Sequence, residues 1–233
     1  MVTRVGDFGS NTLAGVRGEF NYLFGDSAGS YSGTTGGSDN LTGGANSTNY
    51  LYGDASDIMG VAASGGNDTL RGGANSTNYL YGDAETMTGA ATGGDDTLIG
   101  GKGGTNYLYG DALSLSGPSA GGNDRLVSAG STTDQMWGDF GSVSSDNTSF
   151  GHDTFVFGPR NGDDYIYDYH QGEDIIEINS VRGMGSFADL DIQTVDTNND
   201  GSADSSVIHL SAHDSVTVSG VTGLTEADFQ FVI

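Results

Sequence analysis

Short apolar segments separated by glycine-rich turns recur through the first 150 residues of the chain. Within each segment, apolar and polar side chains alternate over a few positions, as in Tyr79-Leu80-Tyr81 and Thr97-Leu98-Ile99. Alternation with a period of two predicts β-strands with one buried face. The turns contain Gly-Gly or Gly-Asp pairs, and glycine at this density destabilises helix interiors. The pattern therefore predicts an all-β chain built from short strands.

These strands belong to a sequence repeat of 28 or 29 residues. The block Asn-Tyr-Leu-Tyr/Phe-Gly-Asp begins at Asn21, Asn49, Asn78 and Asn106, with a degenerate copy at Asp134. A second block, Gly-x-Asp-x-Leu/Phe, and a third apolar position repeat in phase with it. Fixed periods of 20–50 residues indicate a solenoid, a propeller or an array, but a propeller blade needs about 40–45 residues. We therefore predict a parallel β-solenoid, or β-roll, of about five turns.

Stacking of the turns predicts the core, because equivalent residues of adjacent turns lie about 4.8 Å apart. One predicted inward ladder contains Leu23, Leu51, Leu80, Leu108 and Met136. The facing ladder contains Leu13, Leu41, Leu70, Leu98, Leu126 and Phe155. A third wall is predicted from Tyr31, Met59, Met87, Leu115 and Val143.

Composition and charge exclude several classes of protein. The 233 residues include 41 glycines, 7 basic and 31 acidic residues and no cysteine, and the net charge is −24. Nucleic-acid binding is not expected, because it depends on Lys and Arg that neutralise phosphates. Without cysteine there is no disulfide and no thiolate zinc site. No apolar run reaches the roughly 18 residues of a membrane span, and the first residues lack the apolar stretch of a cleaved signal peptide.

The repeat also stacks aspartates into two columns. The first acidic column contains Asp26, Asp54, Asp83, Asp111 and Asp139, and the second acidic column contains Asp39, Asp68, Asp96, Asp124 and Asp153. Two carboxylates about 4.8 Å apart repel by about 3.5 kcal/mol at an effective dielectric constant of about 20. Either the carboxylates point into water as turn residues, or divalent cations lie between them. Aspartates beside glycine carbonyls, as at Gly66, Gly94 and Gly122, form an oxygen-only ligand set that favours several calcium ions.

Around these aspartates the sequence resembles the RTX, or haemolysin-type, calcium-binding repeat family. The resemblance is carried by Gly66-Asn67-Asp68-Thr69-Leu70-Arg71-Gly72-Gly73 and its copy from Gly94, which fit the family nonapeptide Gly-Gly-x-Gly-x-Asp-x-apolar-x. It implies a right-handed parallel β-roll, calcium bound between adjacent turns, and secretion by a type I secretion apparatus. The family turn has two nonapeptides, so the turn of about 28 residues is enlarged.

The loop opposite the acidic columns departs from the family, because it has asparagine where the family has a ligand aspartate. Asn21, Asn49, Asn78 and Asn106 form this neutral column. Their side chains are able to hydrogen-bond along the stack as an amide ladder. We therefore expect calcium to line mainly one edge of the roll.

Residues 151–233 are not repetitive and resemble the C-terminal cap and secretion region of the same family, so we divide the chain into a roll over 1–150 and a cap over 151–233. The resemblance is carried by segments 152–157, 162–169, 172–176 and 224–233. Within them, Asp163 and Asp174 are further candidate calcium ligands.

A separate candidate calcium site lies inside the cap. Asp196, Asn198, Asp200 and Asp204 follow the spacing of an EF-hand loop, but Val207 occupies the position of the bidentate glutamate. The segment after Asp204 has a strand pattern, so the alternative is a polar hairpin turn.

No catalytic constellation emerges from the sequence, and we expect a protein that is not an enzyme. The carboxylates repeat regularly, whereas catalytic groups are singular and isolated. The tyrosines around Tyr79 and Tyr81 are either packed cross-strand pairs or a stripe that binds glycans. We expect a secreted structural, adhesion or export module. The alternative is an accessory module of a secreted enzyme, such as an alginate epimerase or a serralysin-like protease, whose catalytic domain lies outside this sequence.

Overall fold

The computed structural model describes residues 1–130, 133–144 and 148–233 and consists almost entirely of short strands. Two 3₁₀ turns, Phe187–Asp189 and Glu226–Asp228, are the helical segments of the described residues. None of these residues belongs to a helix long and apolar enough to cross a bilayer. The strands are β1 (Val2–Val5), β2 (Thr12–Ala14), β3 (Phe20–Phe24), β4 (Ser27–Tyr31), β5 (Asn40–Thr42), β6 (Thr48–Tyr52), β7 (Ala55–Met59), β8 (Thr69–Arg71), β9 (Thr77–Tyr81), β10 (Ala84–Thr88), β11 (Thr97–Ile99), β12 (Thr105–Tyr109), β13 (Ala112–Ser116), β14 (Arg125–Val127), β15 (Thr133–Trp137), β16 (Phe140–Val143), β17 (Thr154–Phe157), β18 (Asp163–Ile166), β19 (Ile175–Asn179), β20 (Asp191–Val195), β21 (Ser205–His209), β22 (Ser215–Val218) and β23 (Phe229–Val232).

Three sheets run along the stack. The first sheet has the order β1-β3-β6-β9-β12-β15-β18-β22-β21-β20, the second β2-β5-β8-β11-β14-β17-β19-β23, and the third β4-β7-β10-β13-β16. Each strand of the repeat pairs in parallel with its equivalent one turn later, as β9 does with β12. The predicted all-β parallel solenoid of about five turns is therefore confirmed.

The two predicted leucine ladders are in register and form the main core. Leu51 pairs with Leu80 on the first sheet, and Leu70 pairs with Leu98 on the second. All four side chains are fully buried. Both ladders continue into the cap, where Ile166 follows Met136 on the first sheet. The main core is therefore continuous from the repeats into residues beyond 150.

The third wall differs from its prediction at two positions. Ile58, not Met59, pairs with Met87 and is fully buried, whereas Met59 is 40% exposed. The prediction of Met59 was wrong because it assumed a constant spacing of 28 residues. A bulge between Ser27 and Ser30 brings Tyr31 opposite Ile58, and the next copy is offset by 29 residues, as the pairing of Ala55 with Ala84 shows. Val143 is in register with Leu115, but it is 39% exposed because it lies on β16, the edge strand of this sheet.

The last residues close the stack with an antiparallel unit. Strands β17, β18, β19, β22 and β23 still pair in parallel, and β20–β21–β22 then form an antiparallel meander at the end of the first sheet. Arg125 on β14 donates two hydrogen bonds of 3.0 and 2.9 Å to Glu177 on β19. The Glu177 side chain is 6% exposed and that of Arg125 is 41% exposed, so this half-buried ion pair joins the roll to the cap. The domain boundary near residue 150 stays a prediction.

The register of the third sheet predicts opposite outcomes for two methionines on adjacent strands. Met87→Ala removes a fully buried side chain and should lower the free energy of unfolding by about 2–5 kcal/mol. Met59→Ala should change it by less than about 0.5 kcal/mol. Urea unfolding of both variants in the same buffer measures the difference. Equal losses in the two variants would contradict the register.

Candidate metal centre

Both acidic columns are inside the molecule. Each of their ten aspartates is at most 4% exposed, so the alternative in which the carboxylates point into water is wrong. In each turn the chain passes from the first-column aspartate through the third sheet to the second-column aspartate. Burial and the nearby charges of Asp54 and Asp83 raise the pKa of Tyr31, a member of the apolar core of the third sheet. The columns therefore lie against the third sheet rather than on a solvated edge.

Each carboxylate of the second column is tied to the preceding turn by one backbone hydrogen bond. The amide N–H of Asp39 donates to Oδ1 of Asp68 at 2.6 Å, and that of Asp68 donates to Oδ1 of Asp96 at 2.6 Å. The same bond recurs between later turns at 2.7–2.8 Å. The other oxygen, Oδ2, takes no part in these bonds.

The first column is tied instead within each turn. The amide N–H of Gly66 donates to Oδ2 of Asp54 at 2.9 Å, and that of Gly122 donates to Oδ1 of Asp111 at 3.0 Å. Gly94 donates to both oxygens of Asp83 at 3.2 Å. These three glycines were predicted to be ligands through their carbonyl oxygens, and the structure shows that their N–H groups anchor the carboxylates.

Nine of the ten carboxylates retain a buried oxygen that accepts no hydrogen bond from the described residues. These oxygens are Oδ1 of Asp26 and Asp54, and Oδ2 of Asp39, Asp68, Asp96, Asp111, Asp124, Asp139 and Asp153. A buried carboxylate oxygen without a donor is costly, and native structures contain few such atoms. The carboxylates therefore require protons or cations as partners.

The free oxygens of the second column lie against the backbone of the first. A Cβ atom on Gly53, which precedes Asp54, would lie 2.0 Å from Oδ2 of Asp68. A Cβ on Gly82, which precedes Asp83, would lie 2.2 Å from Oδ2 of Asp96. Only glycine fits at these positions, and its absent side chain lets the two columns approach each other.

The donor set fits a hard cation bound partly by the backbone. No three Asp, Glu, His or Cys side chains of the described residues are arranged to hold a metal ion by themselves. An ion between two carboxylates therefore needs carbonyl or water oxygens to complete its shell. Calcium accepts such mixed oxygen shells in flexible geometry.

Burial and mutual repulsion dominate the titration of the columns. Burial, reinforced by Asp96 and Asp54, raises the pKa of Asp68 to about 11. Burial likewise raises the pKa of Asp153 to about 9 and that of Asp139 to about 7. The pKa values of Asp54, Asp83, Asp96, Asp111 and Asp124 lie well above the ordinary value for the same reason. Without cations, the folded state thus retains protons on the columns.

Sequence reasoning missed two aspartates at the ends of the first column. Val5 pairs with Phe24, so Gly6-Asp7 aligns with Gly25-Asp26 one turn later. At the other end, Asp168 accepts hydrogen bonds from the amides of Gly138 and Asp139 at 2.7 and 3.1 Å. Burial raises the pKa of Asp168 to about 8. The sequence signal for Asp168 is the segment Tyr165-Ile166-Tyr167-Asp168, which resembles the repeat block but lacks its glycine.

The two cap aspartates predicted as ligands have different surroundings. Asp174 continues the second column, but both of its oxygens accept backbone hydrogen bonds, from Asp153 at 3.0 Å and His170 at 2.7 Å. Asp163 is exposed and accepts a hydrogen bond from the Ser215 hydroxyl, so it does not join either column.

The predicted amide ladder is present in the neutral column. Nδ2 of Asn21 donates to Oδ1 of Asn49 at 2.9 Å, and the bond repeats at 2.7 Å from Asn49 to Asn78 and from Asn78 to Asn106. The ladder ends on the carboxylate of Asp134. Each amide also accepts and donates within its own loop, as Asn49 does with Gly44. This column is self-sufficient and does not need a cation.

The loop with EF-hand spacing is an antiparallel hairpin turn between β20 and β21. Asp196 accepts a hydrogen bond from the amide of Gly201 at 2.8 Å, and Asp200 accepts one from Ser202 at 2.9 Å. Hydrogen bonds from Thr197 and Ser205 lower the pKa of Asp204 to about 2. Asn198 accepts from the amide of Asp200. Calcium binding by this loop stays a prediction.

Comparison with known proteins adds no family assignment. No protein-family model and no curated protein matches the sequence. The likeness to RTX repeats therefore rests on the repeat residues and on the solenoid that they form.

The raised pKa values predict how stability depends on pH when calcium is chelated. Above about pH 5 the unfolded chain has ionised aspartates, whereas the folded state still binds protons at carboxyls such as Asp68 and Asp153. The folded state then binds more protons, so the free energy of unfolding should fall as the pH rises from 5 to 8. Urea unfolding with a chelator, from pH 5 up to the pH at which the chain loses its β-type circular dichroism, measures this slope, and stability that rises with pH would contradict it.

Proposed function

We propose that the protein is a secreted, non-catalytic module that folds when calcium binds its two acidic columns. The observation that carries the proposal is the set of nine buried carboxylate oxygens without a hydrogen-bond donor. Bound calcium supplies positive charge that offsets the repulsion between stacked carboxylates. The chain itself holds the carboxylates in place through backbone N–H groups and glycines without side chains.

Calcium dependence of this kind couples folding to the surroundings of the chain. The columns are dispersed and solvated in the unfolded chain, so the free energy of metal binding becomes free energy of folding. Extracellular calcium-binding modules bind calcium with a Kd of about 10⁻⁴–10⁻³ M. A module of this affinity is empty at the low calcium concentration inside an exporting cell and loaded at the higher concentration outside it. This behaviour suits passage through a type I secretion apparatus as an unfolded chain, which the C-terminal resemblance implies.

Regular repetition of the carboxylates supports a structural rather than a catalytic role. Asp54, Asp83 and Asp111 have nearly the same partners in successive turns, so no single carboxylate is singled out for chemistry. The same folding mechanism serves a free-standing adhesion or export module and an accessory module of a secreted enzyme. A catalytic domain encoded in the same reading frame would favour the second role.

The first test is a calcium titration of the chelated protein at pH 7.5. Circular dichroism should change from a disordered to a β-type spectrum as calcium is added, because cations remove the repulsion inside the columns. Magnesium at the same concentration should produce a smaller change, since it demands a more regular shell and dehydrates reluctantly. A fully β-structured spectrum in chelator, unchanged by calcium, would refute the proposal.

The second test determines whether Asp96 binds calcium or only repels the neighbouring carboxylates. Asp96→Asn keeps an oxygen that accepts the 2.6 Å bond from the amide of Asp68 but removes a charge. In chelator at pH 5, where protons on the columns favour the folded state, it should raise resistance to urea, while at pH 7.5 the calcium midpoint should rise by roughly tenfold or more. The matched control is Asp191→Asn at an exposed position of β20. An Asp96→Asn midpoint equal to that of the wild type would exclude Asp96 as a ligand.

A further inference from the structure

The edge formed by the neutral column carries an open groove of about 490 Å³. It extends over four successive turns, and its lining includes Phe20, Thr48, Thr77, Thr105, Asn46 and Asn75. The acidic columns border the other, longer loop of each turn, so the groove and the proposed calcium sites are distinct.

The groove is straight and periodic because it follows the strand register. Phe20 pairs with Thr48, Thr48 with Thr77, and Thr77 with Thr105, each on adjacent strands of the first sheet. Four positions therefore form one row with the strand spacing of about 4.8 Å, a length of about 14 Å. A site of this shape suits a linear ligand that lies along the stack.

Polar groups in this row are available to a ligand. The hydroxyls of Thr48, Thr77 and Thr105 are half-buried and have no hydrogen-bond partner among the described residues. By contrast, the Ser76 hydroxyl shares its one proton between the carbonyl oxygens of Gly44 and Ala74 and fixes its loop. The threonines thus present three hydroxyls at regular spacing in a preformed wall.

An aromatic ring stands at one end of the row. Phe20 occupies the position of the threonines and is 56% exposed. The tyrosines of the same sheet cannot offer their ring faces, because Tyr50 and Tyr79 stack on each other at 4.7 Å and continue the stack on both sides. Tyr81 is 5% exposed, so it is not part of an exposed stripe, and these tyrosines form the packed cross-strand pairs that were the other alternative. Phe20 has no aromatic stacking partner within the described part of the chain and is more exposed than these tyrosines.

The charge of the groove lining restricts the chemical class of ligand that it can bind. Glu19 is the one ionisable side chain in the lining, and its carboxylate forms an ion pair with the N-terminal amine at 2.8 Å. An anionic polymer or a charged peptide would therefore find no unpaired charge in this lining. Free hydroxyls beside an open aromatic face match an uncharged ligand with both hydroxyls and apolar C–H faces. We propose that the groove binds a neutral, linear oligosaccharide, with Phe20 stacked on one sugar ring and the threonine row bonded to its hydroxyls.

A glycan array of the folded, calcium-containing protein tests the class of ligand. It should bind neutral hexasaccharides of at least one linkage type and not oligomers of uronic acids. Calorimetry with the best neutral hexasaccharide then tests the site. Thr77→Val should raise its Kd by about 3- to 10-fold through loss of a hydrogen bond, and Phe20→Ala should raise it by roughly tenfold.

Matched variants separate the groove from general destabilisation. Thr88→Val on the third sheet and Phe8→Ala, whose ring is 49% exposed outside the groove, should leave Kd unchanged. Thr77→Ser should restore binding because it restores the hydroxyl. Absence of binding to any neutral oligosaccharide, equal binding of uronic-acid oligomers, or equal Kd values for Thr77→Val, Phe20→Ala and the wild type would overturn the proposal. None of these outcomes depends on whether calcium drives folding.

Discussion

Repulsion between buried, stacked carboxylates is the constraint on which the rest of the molecule depends. A solenoid that places one aspartate at a corner places it in every turn, so a single side-chain choice becomes a column. Here two such columns are withdrawn from water, each carboxylate retains only one or two backbone donors, and most keep an oxygen with none. The glycines beside the columns are also required, because a Cβ on Gly53 or Gly82 would occupy the space between the two columns. The net charge of −24 is thus partly an internal property rather than a surface one.

The neutral column and the acidic columns differ in whether stacked side chains need an added partner, although asparagine and aspartate differ only in one terminal group. An asparagine has both a donor and an acceptor, so Asn49 and Asn78 bond to each other and to their own loops without help. An ionised aspartate only accepts, so identical stacking leaves Asp68 and Asp96 with free oxygens. The edge with asparagine is therefore complete without ions. It is also uncharged, which leaves its outer surface suited to a different kind of ligand.

Much of this architecture could be predicted from spacing alone, because parallel stacking converts equal intervals into contacts. The leucine ladders and the amide ladder follow directly from intervals of 28 and 29 residues. The same logic failed at Met59, because a bulge in the first copy brings Tyr31 opposite Ile58 and the next interval is 29 rather than 28 residues. It also missed Asp7 and Asp168, because incomplete turns at both ends lack the full repeat block. The two acidic columns are buried because the third sheet packs beside them, and no local sequence pattern predicts that packing.

Whether cations satisfy the free oxygens is the central question, and diffraction answers it most directly. Crystals grown with calcium should show anomalous difference peaks between the free oxygens of the two acidic columns, repeated from turn to turn, with none along the ladder of Asn21, Asn49, Asn78 and Asn106. Peaks confined to the neutral loops, or acidic columns without peaks whose carboxyl groups are bonded to one another through protons, would contradict the account.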